Sequence, residues 1–371
     1  MKVLYLLTGN ECRNGPVNGD TIRANVGASG TDQSTILVAE YLANKGFDVT
    51  IAAPNGGVPG SKIRGVIYTN MNFDGIEDKS FDVLINTLWF QDFKSLPITI
   101  TKGIVSITHV PYVFGFDQIK ELITENNLLY GVVHLSNWCK DLNTACAHAL
   151  CPTVFEAVIP NPLMTDVIED IMRSPQPQRN EHDCIFHAAW VRGGHLALKS
   201  IKEMGWDDGK IYIFDYLMGM HHDPQIASMG SVGKKQVLER IAQCGYFVYP
   251  LVREDGEIHK DTFACVIAEA CAMGAIVITY PVAALPETYE DVVHWLPFPN
   301  DTKDLDHILT APLSHDTAFL QNDAIKDALK FFDENPVARD KLRLKAKEFV
   351  MHRYSVERIG KMWSDYLGNF R

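Results

Sequence analysis

The feature that most restricts what this chain can fold into is a repeated alternation of short apolar runs with helically spaced segments. "MKVLYLLTG" ends at Gly9, and "GFDVTIAAP" follows a stretch in which Ile36, Leu37, Ala39, Tyr41 and Leu42 fall at helical spacing. That order reads as strand, loop, helix, strand. Further β-like runs stand at "FDVLINTLW", "GIVSITHVP", "YGVVHLS" and "TVFEAVIPNP", at the intervals a β/α alternation requires. The pattern predicts an open, mostly parallel sheet covered by helices on both faces.

Residues 164–183 start with a short helical pattern and finish in the proline-rich polar run "SPQPQRNEHD". The alternation then restarts. "DCIFHAAW", "KIYIFDYL", "GYFVYPLV", "AIVITYP" and "VVHWLP" are strand candidates, with helical stretches at 194–204 and 234–244. From about 315 the chain reads helical and closes on "SVERIGKMWSDYLGNF", with Val356, Ile359, Met362, Trp363 and Tyr366 on one side. A chain of 371 residues, 46% hydrophobic and 22% charged, is too long for one comfortable core. The expected organisation is an N-terminal domain over 1–165, a linker over 166–183, a second β/α domain over 184–352 and a terminal helix over 353–371. Two such domains leave a ligand cleft at the carboxyl ends of their strands.

The net charge of −12 comes without a basic stripe, which argues against a nucleic-acid partner. Eight cysteines form no C-x-x-C pair and sit mostly among apolar neighbours, as small reduced core residues do. No apolar run reaches the roughly 18 to 20 residues of a membrane span, and no secretory leader is legible. The expectation is a soluble, cytoplasmic protein in a reducing compartment.

The chemistry concentrates in "HKDTFACVIAEACAMGAIVIT", residues 259–279. If 263–273 is a helix, Asp261 precedes its first turn and Glu269 lies inside it. The free N–H groups at its start, near Ala264 and Cys265, and the positive end of its dipole would suit a phosphate. Val266, Ile267, Ala270 and Met273 would bury the helix, while Glu269 points the other way and accepts hydrogen bonds from a vicinal diol such as a ribose. The plainer reading makes Asp261 a helix cap and Glu269 an ordinary helix residue.

The wider segment decides between them. Asp261, a seven-residue interval, Glu269, "ACAMGAIVIT" and then "PVAALPE" (281–287) resemble the nucleotide-sugar signature of retaining GT-B glycosyltransferases of family four. "VIPNPL" (158–163), "STILVAEYLANKGFDVTIAAP" (34–54), "SGTD" (29–32) and the terminal "HRYSVERIGKMWSDYL" are similar to other parts of that family. The resemblance implies two Rossmann-like domains facing each other across a cleft, with the C-terminal helix crossing back to the N-terminal domain. It implies transfer of a sugar from a nucleoside-diphosphate sugar to an acceptor hydroxyl on a glycan, glycoprotein or glycolipid, with retention of configuration. No cofactor and no metal are expected, and peripheral membrane contact stays open.

Site roles follow from the same resemblance. Arg192, followed by Gly193 in "CIFHAAWVRGG", and His187 stand where the family places two cations on the diphosphate. Arg192 suits the task bidentately, and His187 does so only if it is charged. His109 in "SITHVPY" stands where the family carries a histidine against the donor sugar. Glu269 would hold the ribose, Asp261 the sugar hydroxyls, and the backbone at Ala264 and Cys265 the leaving group. This chain has Asp261 for the family's first Glu, Ala264 for a Gly, and Ser29-Gly30 for the Gly-Gly of the first loop, which places side chains where backbone should approach the ligand.

Three other readings stand beside this one. The chain is a nucleotide-sugar-binding protein that has lost catalysis, a sugar-nucleotide epimerase, or a phosphorylase-like enzyme of the same fold. A nicotinamide dehydrogenase is disfavoured, because "TGNECRNG" is no G-x-G-x-x-G turn. "MHH" (220–222) lacks ligand spacing for zinc, and Asp207-Asp208 reads as a solvated turn.

Overall fold

The computed structural model describes residues 1–7, 16–24, 28–54, 57–87, 93–108, 116–175, 177–187, 192–214, 223–230, 232–253, 258–297 and 315–371. The chain divides into two compact units, one of Met1–Thr165 with Tyr354–Arg371 and the other of Asp166–Arg353.

The first unit is built on strands β1 (Lys2–Leu6), β2 (Asp48–Ala52), β3 (Ser61–Ile63), β4 (Val66–Thr69), β5 (Ser80–Asn86), β6 (Thr99–Thr108), β7 (Leu129–His134) and β8 (Phe155–Val158). Their order in the sheet is β3-β4-β2-β1-β5-β6-β7-β8. Only the β3/β4 pair is antiparallel, a tight hairpin whose turn residues Arg64 and Gly65 both have positive φ. Helices α1 (Gly30–Asn44), α2 (Phe116–Asn126) and α3 (Asn137–Leu150) supply the connections. Val3, Leu4, Tyr5 and Leu6 of β1 are all buried, the continuous burial expected of a central parallel strand covered on both faces.

The last helix, Val356–Leu367, completes this unit, and small residues let it approach closely. A Cβ placed on Gly360 would come 2.2 Å from the Tyr41 ring of α1. Trp363 meets Tyr5 edge-on with ring centroids 6.5 Å apart, and the Tyr366 hydroxyl donates to the Phe155 carbonyl at 2.8 Å.

The second unit starts its helices with α4 (Thr165–Arg173) and its sheet with β9 (Asn180–Phe186), so β9 begins inside the segment read as linker. Helices α5 (Gly194–Met204), α6 (Lys234–Gln243), α7 (Cys265–Met273) and α8 (Leu285–Tyr289) alternate with β10 (Ile211–Ile213), β11 (Ile226–Ser228), β12 (Cys244–Tyr249), β13 (Ile276–Thr279) and β14 (His294–Trp295). The helices His315–Glu334 and Pro336–Arg353 follow. The sheet order is β11-β10-β9-β12-β13-β14, all parallel. After β9 the chain turns to one side for β10 and β11, then returns to the other side of β9 for β12. In an open parallel sheet that reversal opens a crevice at the carboxyl ends of the two central strands.

Candidate functional site

The crevice between β9 and β12 collects the predicted residues of the second unit. His187 directly follows β9, Tyr249 is the last residue of β12, and Ile185 pairs with Phe247 in register. Arg192 lies just before α5. Gly193 is its N-cap at φ 110, and a Cβ there would sit 2.9 Å from the Pro250 ring. Glycine is thus required at position 193 for the start of α5 to lie against Pro250, just past β12.

Arg192, Tyr249 and Asp261 form one hydrogen-bonded cluster. The Arg192 Nη1 donates to the Tyr249 hydroxyl at 2.9 Å and lies 3.6 Å from Asp261 Oδ2. The Tyr249 hydroxyl donates in turn to Asp261 Oδ2 at 3.3 Å. Burial works against the Arg192 charge, but the Tyr249 and Asp261 oxygens more than offset it, and the pKa rises above the ordinary guanidinium value. Burial also pushes the Tyr249 phenol well up, which keeps its proton available for donation.

Asp261 does not cap α7 from the N-cap position. Its Oδ1 accepts from the N–H groups of Phe263 at 3.1 Å and Ala264 at 2.7 Å, folding the approach to the helix into a tight turn. The N-cap is Ala264, in the left-handed conformation at φ 52, ψ 66. The Tyr289 hydroxyl bonds the carbonyls of both Phe263 and Ala264 at 2.8 Å, so the turn is held from two directions. The Ala264 N–H, expected to face a leaving group, is instead taken by Asp261. Cys265 begins the helix and is partly buried.

Glu269 also differs from expectation. Rather than standing open, its carboxylate receives Lys234 Nζ on both oxygens at 2.8 and 2.9 Å, with the two side chains only 7% and 8% exposed. A buried carboxylate needs such a partner, and Lys234 is the partner that the sequence reading missed. A signal existed. Lys234 is the first residue of α6, and a cation at a helix N-terminus opposes the dipole unless an anion meets it. The bonds to Lys234 occupy two of the roughly four acceptor positions of the carboxylate.

His187 is neutral. Burial first, and then the charge of Lys234, bring its imidazole down to about 3. Its Nδ1 is buried without a hydrogen-bond partner among the described residues, and its ring lies 5.3 Å from that of Phe214. As a second cation for a diphosphate, His187 therefore lacks the charge that the role requires.

Ser29 and Gly30 belong to the first unit. Ser29 is the N-cap of α1 in a reciprocal capping box: its Oγ accepts from the Asp32 N–H at 3.2 Å, and its own N–H donates to Asp32 Oδ2 at 3.1 Å. Gly30 is the first residue of that helix. His109, the first-strand loop 8–15 and the histidines at 221 and 222 lie outside the described residues. Asp208 bonds His182 at 2.8 Å in the turn before β10, at the amino ends of the strands. Among the described residues no group of three or more His, Cys, Asp or Glu is placed to hold a metal, and no helix is long and apolar enough to cross a membrane.

No protein-family model and no curated protein sequence matches this chain. Solved structures do. Sucrose-phosphate synthase from Thermosynechococcus elongatus superposes with a TM-score of 0.65 at 10% identity, covering 100% of this chain and 99% of that one. HepE from Anabaena, in complex with UDP, gives 0.62 at 12% identity with 100% coverage of both chains. AviGT4, a glycosyltransferase of avilamycin A biosynthesis, gives 0.53 at 14% identity, covering 98% and 96%. At these identities the likeness concerns the fold, which is the α/β GT-B fold of two parallel-sheet domains with the terminal helix returned to the first.

Proposed function

We propose that this protein is a glycosyltransferase that moves a sugar from a nucleoside-diphosphate sugar to an acceptor hydroxyl, with retention of configuration and without a metal or other cofactor. The observation that carries the reading is the gathering of Arg192, Tyr249, Asp261, Lys234 and Glu269 at the carboxyl ends of β9 and β12. Two cations and two carboxylates at a topological switch point match the needs of a nucleotide carrying a polyanionic leaving group. The structural neighbours support the donor class, since HepE was solved with UDP-glucose as well as with UDP.

In this reading Arg192 neutralises the diphosphate as it leaves an oxocarbenium-like sugar. Glu269, held by Lys234, offers its remaining acceptor positions to the ribose diol. Asp261 meets the sugar hydroxyls, and His109 the far side of the sugar or the transferring phosphate. No enzymic nucleophile is invoked, because the acceptor attacks from the face the diphosphate leaves. The acceptor is a glycan, glycoprotein or glycolipid, and the site of action is cytoplasmic.

The test is calorimetric titration of UDP, GDP and ADP into the wild type and the Arg192→Ala variant, followed by NMR of the product anomer with the matching donor sugar. One nucleotide should bind, and Arg192→Ala should weaken it by about 1.5 to 3 kcal/mol, the size of a lost charge-assisted hydrogen bond. Absence of binding to all three would remove the basis of the proposal. A neutral His187 and carboxylates already engaged within the chain favour one second reading, a donor-binding protein with impaired catalysis. It predicts nucleotide binding without turnover of any donor.

A further inference from the structure

The sequence signature gives Tyr249 no role, yet both charged members of the cluster bond its hydroxyl. That oxygen accepts from Arg192 at 2.9 Å and donates to Asp261 at 3.3 Å, whereas the direct Arg192 to Asp261 separation is 3.6 Å, beyond a good hydrogen bond. The phenol is therefore the tighter link between the two side chains.

Its own position is fixed on every side. Tyr249 is fully buried, its ring stacks on Phe247 at 5.5 Å and leans on Phe186 at 6.5 Å, and its carbonyl accepts from Thr279 Oγ1 at 2.7 Å. A group so held has a rigid hydroxyl, and a rigid hydroxyl transfers its position to whatever it bonds. Asp261 is anchored a second time through the backbone of Phe263 and Ala264, while Arg192 sits at the start of α5 beside a glycine. Arg192 is thus the member with more freedom to lose.

We infer that Tyr249 is a positioning residue of the proposed donor site: its hydroxyl aims the Arg192 guanidinium at the leaving diphosphate and sets its distance from Asp261. This inference rests on the glycosyltransferase reading of the site. It assigns Tyr249 no contact with the ligand.

The experiment is a double-mutant cycle on the full chain, with inorganic pyrophosphate and UDP as probes and calorimetry as readout. Tyr249→Phe keeps the ring and removes only the hydroxyl. It should weaken pyrophosphate binding about three- to tenfold, less than the full worth of a charge-assisted hydrogen bond because the hydroxyl acts through Arg192. In an Arg192→Ala background the same change should do nothing further, because the hydroxyl acts through that guanidinium. Additive effects, or an unchanged dissociation constant in the single variant, would overturn the inference while leaving nucleotide binding by the wild type intact. If the wild type binds neither probe, the glycosyltransferase reading falls first and the role of Tyr249 falls with it.

A second measurement covers the case of a Tyr249→Phe chain that does not fold. Pyrophosphate bound to the guanidinium that the phenol holds should change the electric field at the Tyr249 ring and give a tyrosine difference band in the ultraviolet, absent from Arg192→Ala. A wild type that binds pyrophosphate without that band would equally overturn the inference.

Discussion

Lys234 and Glu269 stand 35 residues apart in sequence and meet through both carboxylate oxygens at 2.8 and 2.9 Å, joining the first turn of α6 to the middle of α7. Removing either partner leaves the other charged and buried. Lys234→Ala and Glu269→Ala should each lower the free energy of unfolding by about 3 to 5 kcal/mol, measured by urea denaturation. The double change Lys234→Met with Glu269→Leu should cost much less, because it strands no charge. A single variant with wild-type stability would show that the pair is not closed off from water.

Ala264 pays a steric cost that glycine would avoid. Its φ of 52 puts a Cβ in the left-handed region, which costs roughly 1 to 2 kcal/mol for an L-residue. Ala264→Gly should leave stability unchanged or raise it by about 1 kcal/mol, since the relieved strain competes with the extra entropy of an unfolded glycine. Ala264→Val should lose more than 2 kcal/mol, because a β-branched side chain fits that conformation worst. The shift in the urea midpoint reads both.

Acid should destabilise the second unit through His187. Its folded pKa of about 3 lies below the ordinary 6.5, so between these values the unfolded chain binds the proton and the folded chain does not. Stability is then fully present above about pH 6.5 and falls as the pH drops toward 3, by up to about 1.4 kcal/mol per pH unit from this group. His134 in the first unit, also depressed by burial, works in the same direction. His187→Gln should flatten the profile of unfolding free energy measured between pH 4 and pH 7, and a slope identical to wild type would refute the assignment.

Gly360 permits the contact between the last helix and α1. With the nearest atom of the Tyr41 ring 2.2 Å from where a Cβ would stand, Gly360→Ala forces the helices apart. The expected loss is about 1 to 3 kcal/mol in thermal or urea unfolding, as for other overpacked contacts. Pairing it with Tyr41→Ala should recover part of the loss, which separates a clash from a general intolerance of the position.

Much of the fold was legible because parallel strands leave a strong local mark. The runs at 81–89, 103–111 and 130–136 each overlap an observed strand, and the helices at 194–204 and 234–244 stand as Gly194–Met204 and Lys234–Gln243. Two kinds of element escaped. The β3/β4 hairpin and β11 are strands of three or four residues, too short to establish a period, although Arg64-Gly65 between "SKI" and "VIYT" was a usable turn signal. The proline-rich segment looked like a linker, but β9 extends back to Asn180, where its pairing with β12 passes through an irregularity at Cys244.

The site divides along the same line. What the sequence by itself determined was the set of elements and the spacing of Asp261 and Glu269 about the start of one helix, because periodicity and motif spacing are properties of neighbouring residues. What the tertiary structure alone decided was the partner of each acid: Lys234 for Glu269, Tyr249 and Arg192 for Asp261. Those pairings arise where α6 packs beside α7 and where β12 lies against β9, contacts between segments far apart in the chain. No local pattern encodes them, since it is burial that obliges each charge to find its partner and packing that determines which partner is within reach.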